Sequence, residues 1–338
     1  MKILLIGGNG NISWHCTNEA VLAGHEVWIM NRGVSTHLRR TVPSSVVKLI
    51  ADIRNPISVK AVLGDTKFDV VADFLCQTTE HAQNDIELFK DRTDHFIFIS
   101  STAIYQKPIN VLPITESTPL QNRYWDYAKN KIASEETFLT AFRGQGFPIT
   151  IIRPSHTYDT IIPEAVGYSD WTVSQRMLDG KPILLHGDGS TLWTLTHAED
   201  FARAFILLLG NASSVGHAFH ITSDEWLTWR QITEIVAKSL GAQTPQYVFV
   251  PSENIYQQNT RLGETLLGHK MWCDIYDNTK IKSFAKGWQA KIPFREGIHR
   301  TLDWFNQEPA RKRIDHSLDK IMDSLCVEYS KNAIERSS

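Results

Sequence analysis

Thirty-odd residues at the start of this chain restrict its fold more than any other stretch. Lys2 to Ile6 is a short apolar run with no room for a helix before the glycines, which reads as a buried strand. Gly7-Gly8-Asn9-Gly10-Asn11-Ile12-Ser13 follows. Ile12, Cys16, Ala20 and Ala23 then recur at helical spacing up to Gly24-His25, and Glu26 to Met30 is a second strand-like run. Strand, glycine turn, helix and strand within about thirty residues is the dinucleotide-binding βαβ pattern. Gly7 lets the chain turn sharply off the strand, Gly10 lets backbone approach a pyrophosphate, and the helix start offers unpaired N–H groups to the phosphates. Ser13 stands where the pattern has a third glycine. It is small, so close helix–strand packing should survive.

Composition narrows the partners. With 338 residues the chain can bury a large core and form one domain plus a smaller one. A net charge of −2 gives no basic field for nucleic acid. The first apolar run is too short for a signal peptide, and no later stretch is long enough to span a membrane. Cys16, Cys76, Cys273 and Cys326 form no CxxC pair and suit a reduced cytoplasm. The 13 histidines show no HxH or HExxH spacing, so no metal site is expected.

The strand–helix alternation continues. Asn31-Arg32-Gly33 ends the second strand, where an acid would bond an adenosine ribose and repel a 2′-phosphate. Neutral Asn31 and cationic Arg32 exclude neither NAD nor NADP, and Arg32 favours tolerance of NADP. Val46 to Ile50 is a third strand, followed by Asp52, an acceptor for the adenine amino group, and Ile53. Asn55-Pro56 opens a helix. Phe68 to Phe74 is the fourth strand, with Phe74 at its nicotinamide end. Thr78 or Thr79 caps a helix to about Lys90, and His95 to Ile99 is the fifth strand. Tyr124 to Phe142 reads as a helix on which Tyr127 and Lys131 lie one turn apart on one face. Pro148 to Ile152 is the sixth strand, leading to Pro154, His156 and Tyr158. The pattern implies an α/β fold, a Rossmann doubly wound parallel sheet with a smaller C-terminal α/β substrate domain. Residues 1–155 plus 191–222 are assigned to the NAD(P)-binding domain. Residues 156–190 plus 223–338, which lack the strand–helix rhythm, go to the substrate domain. Ile314, Leu318, Ile321, Met322 and Leu325 repeat at helical spacing as a packing helix.

Taken together, these pieces resemble an extended short-chain dehydrogenase/reductase of the NAD-dependent epimerase/dehydratase type. The resemblance rests on the glycine loop, Asp52, Ser100-Ser101-Thr102-Ala103-Ile104-Tyr105, Tyr127-x-x-x-Lys131 with Glu135, Arg153 to Tyr158, and His197-x-x-Asp200, in family order. Asp277-Asn278-Thr279-Lys280, Gly287-Trp288 and Phe294 to Ile298 look like the family's C-terminal signature. Asn31-Arg32-Gly33 and Gly187-Asp188-Gly189-Ser190 are most similar to a branch that includes bacterial putative epimerases and chloroplast stem-loop-binding proteins.

The resemblance implies that Ser101, Tyr127 and Lys131 are the catalytic set. A tyrosine at its reference pKa of about 10 is a poor base at neutral pH. An ammonium one turn away favours the phenolate and can bond the nicotinamide ribose. Ser101 would hold and polarise the substrate oxygen. Gly7, Gly10, Asn11, Ile12, Asn31, Arg32, Asp52, Ile53, Phe74, Lys131 and Pro154 are expected around the cofactor. Thr102, His156, Tyr158 and Trp193 are expected around the substrate. His197 and Asp200, at a helix start, are expected to be structural. Where a 4,6-dehydratase would carry Asp-Glu, this chain has Thr102-Ala103. Where UDP-sugar epimerases carry a pyrophosphate-clamping arginine it has Trp193, whose face would suit a ring, with Lys270 or Arg176 as substitute cations. The expected function is an NAD(P)-dependent epimerase or reductase acting on a sugar-like hydroxyl substrate. The alternative is a non-catalytic nucleotide- or RNA-binding protein that retains the fold. The expected location is the cytoplasm, and a homodimer is left open.

Overall fold

The computed structural model describes residues 1–34 and 39–335, with side chains described to 330. The first half alternates β1 (Lys2–Ile6), α1 (Ser13–Leu22), β2 (Glu26–Asn31), β3 (Val47–Ile50), α2 (Pro56–Leu63), β4 (Phe68–Asp73), α3 (Thr79–Phe89), β5 (Thr93–Ile99), α4 (Asp126–Gln145) and β6 (Ile149–Pro154). Then come β7 (His156–Tyr158), α5 (Thr172–Leu178), β8 (Ile183–His186), β9 (Leu192–Trp193), β10 (Leu195–His197), α6 (Ala198–Leu208) and β11 (Ala218–Ile221). The central sheet has seven strands, all parallel, in the order β11-β6-β5-β4-β1-β2-β3. Strand order reverses between β1 and β4, which opens a crevice at their carboxyl ends.

Side-chain alternation explains why both faces are covered. Ile3 and Leu5 point to the face packed by Cys16, Ala20, Phe201 and Phe205 of α1 and α6. Leu4 and Ile6 point to the other, packed by Phe89 and Phe138 of α3 and α4. Local chemistry starts the helices. Asn55 accepts from Ser58 N–H ahead of Pro56, and Thr78 accepts from His81 N–H.

Beyond β11 the expected loss of rhythm is not what the structure shows. β12 (Leu227–Thr228) precedes α7 (Trp229–Leu240), and β13 (Tyr247–Val250) pairs in parallel with β8 in the register Ile183 with Tyr247. α7 begins at a capping box formed by Thr228 and Gln231 and ends at left-handed Gly241. Four-residue strands separated by some sixty residues of chain leave no local alternation to read. Next come α8 (Ser252–Gln258), α9 (Thr260–Thr265) and a π-helical turn at Leu266–Lys270, then α10 (Thr279–Phe284), α11 (Phe294–Asn306) and α12 (His316–Glu335). Leu318, Met322 and Leu325 of α12 join Ile232, Val236, Leu302 and Phe305 in one core, as their spacing predicts, while Ile314 stands ahead of the helix and is exposed. Ile281, Ala285 and Trp288 return to the core beneath the sheet, so the chain after 223 does not stay with the second core. No described helix is long and apolar enough to cross a membrane.

Candidate active site

The glycine loop is built by exclusion. Gly7 has φ +80, and a Cβ there would stand 2.8 Å from Leu75 Cγ; one on Gly8 would stand 2.5 Å from Ile29 Cγ2. Ser13 does more than fit. Its Oγ donates to Gly7 O at 2.5 Å and accepts from Gly10 N at 2.8 Å, which pins the turn to the start of α1. Between this loop and the ends of β2 and β3 lies a cavity of 570 Å³, lined among others by Gly7, Gly10, Asn31, Arg32, Asp52 and Ile53. That size and lining fit the adenosine half of a dinucleotide.

Five expected cofactor residues lie outside that lining: Asn11, Ile12, Phe74, Pro154 and, on α4, Lys131. The Asn11 amide donates to Thr157 O at 2.9 Å and accepts from Thr160 N at 2.8 Å, tying the loop to the segment after β7. Ile12 stands just ahead of α1 and packs on the sheet core. Phe74 turns toward Phe205, and Leu75 occupies the place over Gly7. Pro154 ends β6 inside the core. Sequence reasoning missed Leu75, because the half-turn after β4 decides which of two neighbouring apolar residues faces the cleft.

α4 carries Tyr127, Lys131 and Glu135 one turn apart. Lys131 is 3% exposed, and its Nζ donates to Cys76 O at 2.6 Å, just past β4, and to Ile99 O at 2.7 Å, on the last residue of β5. The half-buried Tyr127 has its ring centroid 5.8 Å from that Nζ. Glu135 receives Arg153 Nε at 3.0 Å and Nη2 at 2.6 Å, and Arg153 Nη1 donates to Tyr105 Oη. Ser101 is half-buried and caps a short turn, accepting from Ala103 N at 3.2 Å. Thr102 is fully buried beside Tyr276, so it lines no open cleft. Asn122 donates to Ala103 O and Gly268 O, joining the serine turn to the π-helical turn.

Two more expected substrate residues, besides Thr102, are placed differently from their sequence reading. Tyr158 is fully buried between the His197 and Phe294 rings, with its hydroxyl against Gly297. Trp193 is 1% exposed, with its ring 5.0 Å from Trp229 and 4.5 Å from His269. Its face is therefore taken by protein, because β9 is closed in by β12 and by a bridge to Asp274. His156 is half-buried. Its Nδ1 accepts from Trp193 Nε1 at 3.3 Å, and burial, with the Lys270 charge behind it, pushes its pKa down to about 3, so the ring is neutral. His197 and Asp200 are structural as expected. His197 caps α6, and Asp200 accepts from Lys291 and Ile292 N–H. Of the substitute cations, Arg176 is held by Asp319 and Asp323, and buried Lys270 donates to Glu164 O at 2.8 Å.

Two buried clusters went unread in the sequence. Lys107 Nζ faces Asp274 at 3.6 Å, and the same carboxylate takes His269 Nε2 at 3.0 Å and the Tyr276 hydroxyl. Asp73, Cys76 and Asp85 converge near Lys131, with candidate ligand atoms within 4.8 Å of one another. Burial and the Asp73 charge hold the Asp85 carboxyl well above the usual range. An acid inside the apolar run of β4 was the available signal.

Comparison with known proteins agrees with this fold. The model of the NAD dependent epimerase/dehydratase family matches residues 3–222. The chain is 26% identical over 339 residues to the chloroplast stem-loop binding protein of 41 kDa b of Arabidopsis thaliana, covering 95% of this chain and 84% of that protein. It is 26% identical over 300 residues to 2′-dehydrokanamycin reductase of Streptomyces kanamyceticus, covering 86% and 81%. In fold it resembles the UDP-glucose 4-epimerase of Thermus thermophilus, solved with NAD, at a TM-score of 0.71 and 21% identity, covering 90% of this chain and 99% of that one.

Proposed function

The chain belongs to the NAD dependent epimerase/dehydratase family, and on that premise we propose that it is an enzyme that interconverts a carbinol and a carbonyl on a sugar-like hydroxyl compound. The observation that carries this reading is the fixed Lys131 ammonium one helical turn from Tyr127. When bound, the nicotinamide dinucleotide supplies or accepts the hydride. The residues of this chain do the rest. The glycine loop and the ends of β2 and β3 would hold the adenosine half. Lys131 fixes this turn of α4 at the strand ends, and Tyr127, one turn away, would pass the hydroxyl proton to or from the substrate. Ser101, half-buried where its neighbour Thr102 is fully buried, would bond the reacting oxygen as its charge changes.

The substrate we propose lacks a nucleotide diphosphate. Position 193 carries no arginine, Arg176 is bound to α12, and Lys270 is sealed against Glu164. The reductase relative, named for an aminoglycoside ketone, is in keeping with such a substrate. The stem-loop-binding relative keeps the non-catalytic reading in view, and an intact Ser101, Tyr127 and Lys131 set weighs against it. All four cysteines are free, in keeping with a cytoplasmic location. The test is turnover of ketone and alcohol panels followed by nicotinamide absorbance. Turnover lost in Tyr127→Phe supports the reading, and equal turnover in Tyr127→Phe refutes the proton-transfer role.

A further inference from the structure

The mouth of the 570 Å³ cavity carries cations that the dinucleotide reading alone does not require. Arg32, Arg39, Lys48 and Arg54 all line it, against the single carboxylate of Asp52. Their placement follows from the backbone. Ala51 N donates to Asn31 O at 3.1 Å, and Gly33 turns at φ +75 with Ile50 beneath it, so Arg32 stands over the end of β3. Lys48 pairs with Ile29 on the same edge. Arg39 approaches from the opposite rim, with Nη1 3.9 Å from where a Gly10 Cβ would be.

The charges differ in what they are free to do. Arg40 is committed: it grips Asp159 at two points and lies over the Trp14 and Trp304 rings. Arg54 donates to Leu75 O at 3.0 Å, while its N–H holds Asp52 Oδ1. Among the described residues, Arg32, Arg39 and Lys48 have no carboxylate partner, and Arg32 and Arg39 are exposed. Three unpaired cations around a cavity this size repel one another unless an anion joins them. No acid stands at the end of β2 to repel it.

From this we infer that the rim formed by Arg32, Arg39 and Lys48 is a subsite for a ribose 2′-phosphate, and that the chain selects NADP(H) over NAD(H). The inference rests on the cavity being the cofactor site. Arg32 supplies the planar two-point donor, and Arg39 and Lys48 complete the positive rim.

The full-length protein is titrated with NADPH and with NADH by fluorescence, and with 2′-AMP and 5′-AMP as competitors. NADPH should bind about 10- to 100-fold more tightly than NADH, the range expected for charge-assisted bonds to one phosphate. 2′-AMP should compete better than 5′-AMP. Arg32→Ala and Arg39→Ala, both surface changes, should each weaken NADPH by about tenfold and leave NADH within about twofold. Raising the salt should erode NADPH binding more than NADH binding. NADH binding as tight as NADPH, or a ratio untouched in both variants, overturns the inference while the dinucleotide reading stands. Binding of neither nucleotide overturns the dinucleotide reading itself.

Discussion

Glu135 lies one helical turn beyond Lys131 on α4, and its carboxylate grips Arg153 of β6 at 3.0 and 2.6 Å while Lys131 holds the carbonyls of Cys76, beyond β4, and of Ile99, which ends β5. Two charged anchors thus fasten one helix to three neighbouring strands. Tyr127, one turn before Lys131, inherits its position from both. The Tyr-x-x-x-Lys spacing is usually read as chemistry, but here it is also the docking of a helix.

Tyr127→Phe should abolish turnover and leave cofactor affinity within about twofold, because the phenol moves a proton and makes no bond that holds the helix. Lys131→Ala should lower both, and should also cost about 1–3 kcal/mol of stability by stripping Cys76 and Ile99 carbonyls of their buried donor. Calorimetric titration with denaturant melts checks this. Equal loss of cofactor affinity in the two variants would count against the division of roles.

The buried pair makes a sharper stability prediction. Glu135 and Arg153 are 1% and 4% exposed, so Glu135→Gln leaves a buried guanidinium without its counter-charge. The expected loss is about 3–5 kcal/mol. Glu135→Leu combined with Arg153→Met should recover much of it, since both desolvation penalties vanish together. Urea midpoints of the single and double variants decide it. A double variant worse than the sum of the singles would mean that Arg153 acts mainly through Tyr105 and not through Glu135.

The sheet was legible because fully buried parallel strands write themselves as apolar runs, and Lys2–Ile6, Phe68–Asp73 and Ile149–Pro154 do so. The helix starts were legible because Asn55 and Thr78 cap locally. The second core was not, since β8 and β13 find each other only through tertiary packing around α7. Trp193 and Tyr158 were misread for a related reason. Position along the chain says that a residue follows a strand, but not whether neighbouring segments close over it. Cavity lining by Gly7, Gly10, Asn31 and Asp52 followed from strand ends alone, and those positions were readable.

His95 gives a pH dependence with a defined sign. Its Nδ1 accepts from Gly210 N at 3.1 Å and its Nε2 meets Thr150 Oγ1 at 2.8 Å, so the neutral ring is matched and a second proton is not. Burial pushes its pKa down to about 4, against about 6.5 in the unfolded chain. Above pH 6.5 neither state is protonated and stability is complete. As pH falls toward 4 the unfolded state gains a proton that the folded state refuses, and stability declines, by about 2 kcal/mol at pH 5 from this ring alone. Denaturant melts at pH 7 and 5, with an NMR titration of the ring, test it. A His95 ring titrating near 6.5 in the folded protein would remove the cause.

The substrate reading carries the last prediction. A doubly charged pyrophosphate needs charge-assisted donors, each worth about 1.5–3 kcal/mol. This chain offers Trp193 where an arginine would serve, and that indole is packed between Trp229 and His269 with its N–H on His156. Arg176 cannot swing in without abandoning Asp319 and Asp323, and Lys270 is lowered to a pKa of about 8 by burial. UDP, UDP-glucose and UDP-galactose should therefore bind the cofactor-loaded protein no more tightly than millimolar. Because Trp193 is a core residue, Trp193→Ala should act on the fold, costing about 3–5 kcal/mol by opening a cavity among the aromatics. Trp193→Phe, which keeps most of the packing, should fold and bind UDP-sugars no better. Calorimetric titration of the three nucleotides into the wild-type protein and Trp193→Phe is the check. Micromolar binding of any of them to the wild type would show that another group clamps the pyrophosphate and would sink the proposed substrate class.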